Sequence, residues 1–283
     1  IAGPLKTGLA PPANGTIRTA ATTMSHVVTR ATTERGLDAG DFTMVAYGGA
    51  GPLHASLVAR ELRMPTVIIP PAPGHFSAFG MLVADLRRDF VKTWFRPLAQ
   101  VDLGEMEQVY SGMEEEGIQS IGAEVADHTL IQRVRAADMR YVGQEHSVTV
   151  QFPLELFTSG DRTEIKRLFD AVHELRYGFN APQEQAEIVS LHASVIGQME
   201  KPKLKRNDAT DSRLPMPAMR KVYFQEAEGF IDTPVYERSS LAPGMRIQGP
   251  MLIEEHASTT VVLPGDVMEV SPFGDLVITI GRN

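Results

Sequence analysis

The sequence predicts an α/β fold on a mainly parallel sheet, followed by an α+β unit and a small all-β carboxyl-terminal module. Three observations carry that expectation. Helix-like and strand-like segments alternate through the first third of the chain, which calls for parallel strands with helices on the sheet faces. A stretch that mixes two helical patterns with strands of alternating polarity comes next. Beyond a polar, proline-bearing segment, only short strand-like runs separated by glycine turns remain. The boundaries read as 1–98 for the α/β part, 99–200 for the α+β unit, 201–221 for a linker and 222–283 for the β-rich module.

Taken in order, residues 1–15 are rich in Gly, Pro and Ala and read as a loop. Over residues 16–35, Ile17, Ala20, Ala21, Met24, Val27, Val28 and Ala31 recur at helical spacing, with Gly36 as the stop. Residues 42–47 read as a buried strand ended by Gly48 and Gly49, and 52–62 as a helix with Pro52 in its first turn. Residues 66–70 form the next strand and 76–86 the next helix. In the α+β unit, 102–124 and 162–179 are helical patterns. Two strands flank Gly143-Gln144 as an antiparallel pair, and 186–199 reads as a long strand. The turns APGM, QGP, LPGD and PFGD punctuate the last module.

Composition removes several function classes. The 283 residues carry 27 Lys and Arg against 35 Asp and Glu, a net charge of −8, with no basic cluster for nucleic-acid phosphates. The longest apolar runs are about six to eight residues, short of the ~20 that span a bilayer, so no membrane role is expected. There is no cysteine, which excludes disulfides, thiolate metal sites and a cysteine nucleophile and fits a cytoplasmic protein. The chain opens on Ile1 with no signal-peptide pattern and reads as a fragment of something longer.

The most informative stretch is VAYGGAGPLHA, where Gly48, Gly49, Gly51 and Pro52 follow a strand and open a helix. Glycine lets a ligand approach the backbone, and a helix start offers free N–H groups and partial positive charge. The same pattern also arises where two backbones pack closely, and it matches neither G-x-G-x-x-G nor a P-loop. A second turn, with Gly74, His75 and Ser77, follows the next strand. His54, on the first turn of the helix, either touches a ligand or packs against the neighbouring strand, and Ser77 reads as a helix cap. The other histidines (His26, His128, His146, His173, His192, His256) show no metal-binding spacing, so no metal site is expected from this chain alone. Glu254 and Glu255 are neighbours on a strand and point to opposite faces, so they do not form an acid/base pair. Glu114, Glu115 and Glu116 read as a solvated helix face.

The blocks GGAGPLHA, VIIPPAPGHFSAFGML, ADLRRD, DMRYVGQEHSVTV, HELRYGF, EIVSLHASV and GPMLIEEHASTTVVLPGD together resemble the large subunit of the hydantoinase A/oxoprolinase family, nearest to its N-methylhydantoinase-like members. The resemblance spans nearly the whole chain and implies an actin/hexokinase-like ATPase fold in which Gly48, Gly49, Gly51 and Pro52 receive the adenosine end of ATP. It implies ATP-dependent opening of a cyclic amide such as hydantoin, N-methylhydantoin or 5-oxoproline, with phosphorylation of the ring carbonyl oxygen supplying a leaving group. It also implies an oligomer with a B-type subunit, and Mg²⁺ held mainly by residues outside this chain. The family's upstream Asp-Gly-Gly-Thr-type phosphate turn does not occur here, so the segment alone is expected not to turn over ATP. Arg140, Tyr141, Gly143 and Gln144 form a further shared block, in which Arg140 and Gln144 either polarise a carbonyl oxygen or simply build a β-turn. ATP-dependent carboxylation of a ketone, as in acetone- and acetophenone-type carboxylases, and a non-catalytic assembly role are the alternatives.

Overall fold

The computed structural model describes residues 8–122, 130–159, 161–207 and 213–281. The chain divides into two compact units, one formed by the residues up to Leu82 together with those from Pro202 onward, the other by Val83–Lys201. These divisions differ from the boundaries read in the sequence, because the last strands return to the first ones.

The amino-terminal segment contains α1 (Ala10–Thr33), β1 (Thr43–Val45), α2 (Gly51–Glu61), β2 (Thr66–Ile69) and α3 (Phe76–Val83). Helix α1 begins six residues before the expected Thr16 (Ala10 against Thr16). Its prolines, Pro11 and Pro12, occupy the first turn, where backbone N–H groups have no intrahelical acceptor and proline is tolerated.

The second unit contains β3 (Leu86–Pro97), α4 (Leu103–Ile121), β4 (Ile131–Tyr141), β5 (Val148–Phe152), α5 (Leu156–Ser159), α6 (Arg162–Tyr177) and β6 (Ala186–Gly197). It is α+β, as expected, with an antiparallel sheet in the order β3-β6-β4-β5. Strand β3 is an addition to the sequence reading, which carried the preceding helix to Leu86. Its pairing partner β6 lies about a hundred residues downstream, beyond the reach of a local pattern. Asp102 caps α4, accepting from Gly104 N–H at 2.8 Å, and Asp161 caps α6, accepting from Thr163 N–H at 2.8 Å. Tyr110, Phe169, Ile165 and Leu191 are fully buried between the helices and the sheet.

The remainder of the first unit is all β: β7 (Ala218–Phe224), β8 (Gly229–Glu237), β9 (Arg246–Gln248), β10 (Met251–Glu255), β11 (Ser258–Val262), β12 (Val267–Val270) and β13 (Leu276–Thr279). Three of these strands complete a sheet in the order β1-β2-β13-β12-β9, and the others form a sheet in the order β11-β10-β8-β7. The mainly parallel sheet expected from the alternating elements is therefore corrected. Only β1 and β2 are parallel in the first sheet, because β13 enters antiparallel beside β2, with Leu276 opposite Ile69. Val67, Ile69, Met251, Ile253, Met268 and Ile278 are fully buried in one core shared by strands from both ends of the chain.

The acidic run on α4 is also corrected. Glu115 and Glu116 are exposed, but Glu114 is buried at 3% exposure and binds Arg135 of β4 at 2.6 and 2.9 Å. Helical geometry turns Glu114 onto the same face as Tyr110 and Gly117, towards the sheet. Glu107 grips the same guanidinium from one side, with Arg135 Nη2 to Glu107 Oε1 at 3.0 Å. Burial alone would lower the Arg135 pKa, yet the bonds and charges of Glu114 and Glu107 raise it, so the guanidinium stays charged. Removing one partner from a buried ion group leaves an uncompensated charge. Glu114→Ala is accordingly expected to destabilise the protein by about 3 kcal/mol, whereas Glu115→Ala should shift it by less than about 0.5 kcal/mol. Chemical denaturation of the two variants checks this; equal effects would contradict it.

Candidate functional site

Strand β1 hands the chain to Gly48, whose φ of +87° lies in the left-handed region that glycine accepts readily. The Gly48 N–H donates to the Pro73 carbonyl at 2.7 Å, which ties the first glycine turn to the second. Helix α2 then starts with Ala50 as its N-cap, a residue with no side-chain acceptor. The amides of Gly49, Ala50 and Gly51 find no acceptor among the described residues. An uncapped helix start of this kind presents donors and positive potential to any anion placed before it. Pro52 is buried in the first turn of α2, consistent with its expected place.

The two glycine turns converge on a third element that the sequence reading did not connect to them. Glu255 and Ser258 stand opposite each other in the β10–β11 hairpin, so His256 and Ala257 form its tip. A Cβ on Gly49 would lie 3.2 Å from the Ala257 carbonyl oxygen, and one on Gly74 would lie 3.3 Å from the same atom. Both glycines are thus pressed against one backbone oxygen, while a Cβ on Gly48 would meet nothing within 4 Å. Gly49 and Gly74 make room for the hairpin, and Gly48 supplies the bend.

A buried ion pair holds that hairpin in place. Arg238 Nη1 donates to Glu255 Oε1 at 3.1 Å, with both side chains about a tenth exposed (11% and 10%). The other guanidinium nitrogen donates to the Ile69 and Gly274 carbonyls at 3.1 and 2.6 Å, and the Ala72 N–H donates to Glu255 Oε2 at 3.1 Å. One carboxylate and one guanidinium therefore join the end of β2, the second glycine turn, the β12–β13 turn and the hairpin. Burial pushes the Glu255 carboxyl up, against the pull of Arg238 and the Ala72 amide.

Beside the hairpin and the first turn lies a cavity of 620 Å³, walled by α1, α2, β7 and β11. Gly49 and Ala50 line it, together with apolar Leu53 and Val261. Around the turns, the rings of His75 and His256 stack with centroids 5.5 Å apart, and Tyr47 meets Phe76 at 5.4 Å.

The other residues singled out in the sequence fall as follows. His54 is half-buried on α2, and its Nδ1 is buried without a partner. Ser77 lies inside α3, one residue past its start, so it is not the residue ahead of the helix that a cap requires. Arg140 and Gln144 belong to the second unit. Arg140 Nε donates to Glu187 at 2.7 Å, and the Gln144 N–H closes a turn onto the Tyr141 carbonyl at 3.0 Å, with Gly143 at φ +90°. Glu254 binds Arg220 at 2.7 Å while Glu255 binds Arg238, so the adjacent carboxylates do point apart. His128 lies outside the described residues. Among the described residues no group of three or more His, Asp or Glu is placed to hold a metal ion, and no helix is long and apolar enough to cross a membrane.

Sequence and fold together define the class. Residues 1–90 match the Hydantoinase/oxoprolinase family and residues 99–272 match the Hydantoinase/oxoprolinase C-terminal domain, so the chain belongs to that family. It is 36% identical over 94% of its length to an uncharacterized protein of Methanocaldococcus jannaschii, and 27% identical over its full length to caprolactamase subunit alpha of Pseudomonas jessenii. The crystal structure of that ATP-dependent caprolactamase superposes with a TM-score of 0.75. A nucleotide-free acetone carboxylase superposes at 0.79 with 22% identity, over 99% of this chain. These neighbours share the actin/hexokinase-like ATPase fold, and the α/β part of the chain is part of such a domain. The chain spans about two fifths of the length of these proteins, 37% and 41% of the two relatives and 41% and 42% of the two structures.

The Glu255–Arg238 pair yields a pH prediction. A carboxyl whose folded pKa is raised contributes stability that is present below its ordinary pKa and lost as pH rises through the folded value. Glu255→Gln also replaces one of the two accepting oxygens by an NH₂ that faces the Arg238 or Ala72 N–H, a mismatch expected to cost about 1–3 kcal/mol. The variant should be less stable than the parent near pH 4.5, the ordinary glutamate value, with the gap narrowing as pH rises towards neutrality. Thermal unfolding of both proteins across that range measures it; a gap that widens would contradict the assignment.

Proposed function

We propose that this chain supplies the adenosine-side wall of the ATP site in an ATP-dependent cyclic-amide hydrolase, acting on rings of the hydantoin, N-methylhydantoin or 5-oxoproline type. The single observation that carries the reading is the start of α2, where the Gly49, Ala50 and Gly51 amides are free and stand next to a cavity. Membership in the Hydantoinase/oxoprolinase family and likeness to an ATP-dependent caprolactamase support the choice of ring opening. An unstrained lactam resists hydrolysis. Transfer of the γ-phosphoryl group of ATP to the carbonyl oxygen activates the carbon, so that one water adds there, the C–N bond breaks with a proton passing to the ring nitrogen to leave an acyl phosphate, and a second water hydrolyses that acyl phosphate to the carboxylate and phosphate.

In this scheme Gly48, Gly49, Gly51 and Pro52 bind and orient the nucleotide through main chain. The catalytic residues are otherwise unassigned: His54 in the first unit, and Arg140 and Gln144 in the second, are each a candidate for contact with the ring on its own unit. Mg²⁺ would serve the phosphoryl transfer, held mainly by residues or subunits outside this chain. The "subunit alpha" and "beta subunit" of the caprolactamase and acetone carboxylase relatives favour a heteromeric assembly; a B-type subunit is the proposed partner and the cytoplasm the proposed location. The segment by itself is proposed not to turn over ATP. Carboxylation of a ketone is the second reading, favoured by the superposition on acetone carboxylase.

Ala50→Asp separates nucleotide binding from folding. Aspartate is a preferred N-cap, so it should leave stability unchanged or raise it by about 0.5–2 kcal/mol, while its negative charge beside the free amides opposes an anionic ligand there. In the full-length protein, ATP affinity should fall about tenfold or more with an unchanged or higher melting temperature. An affinity equal to that of the parent would exclude the turn from the ATP site. ATP hydrolysis stimulated by a cyclic amide, and not by acetone with bicarbonate, would decide for ring opening; the reverse would decide for carboxylation.

A further inference from the structure

We infer that the second unit pairs with a second copy of this chain through the free edge of β3. Two four-stranded sheets then join into one across a two-fold axis at Val91, with the two α4 helices antiparallel above the seam.

Strand β3 ends the β3-β6-β4-β5 sheet, and no strand of this chain covers its outer edge. Among the described residues, no main-chain group of 88–94 bonds to anything beyond β6. An uncovered edge of that length is a template for a further strand. Val91, in the middle of it, is 65% exposed. Beside it a groove of 430 Å³ runs between Phe90, Val91 and Lys92 on the strand and Val109, Gly112 and Met113 on α4.

Gly112 is an independent observation at the same place. Glycine inside a helix costs about 0.5–1 kcal/mol relative to alanine. Gly117 of the same helix has a reason within the chain, since a Cβ there would lie 2.5 Å from a Val195 methyl. A Cβ on Gly112 would meet nothing within 4 Å. Gly112 is exposed, stands midway along α4 and lines the groove, so the room it leaves serves a backbone from outside the chain. Helix α4 lies over β3 and β6, about one strand spacing (~4.8 Å) from the seam. Two copies would therefore bring their α4 axes to about 10 Å, the ordinary packing distance of helices.

The charges of β3 choose the partner and the register. Antiparallel self-pairing about Val91 sets Arg87 against Phe95, Arg88 against Trp94, Phe90 against Lys92 and Asp89 against Thr93. Three of these place a cation beside a ring, the fourth is a hydrogen-bonding pair, and no like charges meet. Moving the axis by one residue either way opposes Arg88 to Lys92 or to Arg96, which repel. On the helices, an axis at Gly112 sets Gln108 of one copy beside Glu116 of the other. An isologous two-fold contact satisfies both elements at once.

Sedimentation equilibrium of the full-length protein, purified without a partner subunit, tests this, with circular dichroism as the control for folding. The parent is expected to be dimeric at micromolar concentration. Val91→Lys, which opposes two lysines at the axis, and Gly112→Gln should each raise the dimer dissociation constant about tenfold or more. Glutamine favours a helix over glycine, so weaker association of Gly112→Gln does not come from a weaker helix. Val91→Cys supplies a second readout, because Cβ atoms opposite each other in an antiparallel pair lie about 4.5–5.5 Å apart, near the reach of a disulfide. Oxidation should give a covalent dimer whose peptide map links residue 91 to residue 91. A monomeric parent would overturn the inference. So would a dimer whose constant is unchanged in both variants and which yields no 91–91 link.

Discussion

The close approach of one backbone oxygen, that of Ala257, to two glycines is the constraint on which the first unit depends. Gly49 and Gly74 come from different strand-to-helix turns, yet the hairpin tip touches both within the space that a Cβ would need. Such contacts favour glycine on one side, because a Cβ there would have to push the oxygen back by a few tenths of an ångström against a rigid backbone. The rigidity comes from the two-residue hairpin turn, with Ala257 at φ +61°, and from the buried Glu255–Arg238 pair behind it. The contact therefore fixes more than packing. By holding both turns at one edge of the sheet, it sets the start of α2 beside a cavity whose other walls come from strands near the end of the chain.

Local periodicity made much of this legible. The helices at 51–61 and 162–177, the strands at 66–69 and 186–197 and the antiparallel pair around Gly143 follow from patterns within a dozen residues. What escaped were facts set by distant partners. Strand β3 reads as charged and irregular until β6 is placed beside it, because eight of its twelve residues are exposed and alternate loosely. Glu114 belongs to a visibly acidic run, and only Arg135 of a later strand explains its burial. The same holds for the first sheet, where β13 pairs with β2 across two hundred residues and turns a nominally parallel sheet mostly antiparallel.

The candidate site divides along the same line. The glycine turn and its proline were visible as a motif, since tight strand-to-helix turns need those residue types. The reasons for individual glycines were not visible: Gly48 bends the chain, whereas Gly49 and Gly74 yield space to a hairpin about two hundred residues away. Glu255 and Arg238, which hold that hairpin, carried no signal beyond a two-carboxylate dipeptide and a lone arginine. The cavity wall formed by Gln225 and its neighbours was equally silent, since it exists only where β7 meets α1 and α2.

The central claim is that the start of α2 meets the nucleotide through main-chain amides. Amide hydrogen exchange of residues 47–53 in the full-length protein, with and without a non-hydrolysable ATP analogue, tests this directly. The account predicts that exchange at Gly49, Ala50 and Gly51 slows when the analogue is bound, because amides now open to solvent gain phosphate or ribose acceptors. Unchanged exchange at those three amides in a protein shown to bind the analogue would contradict it.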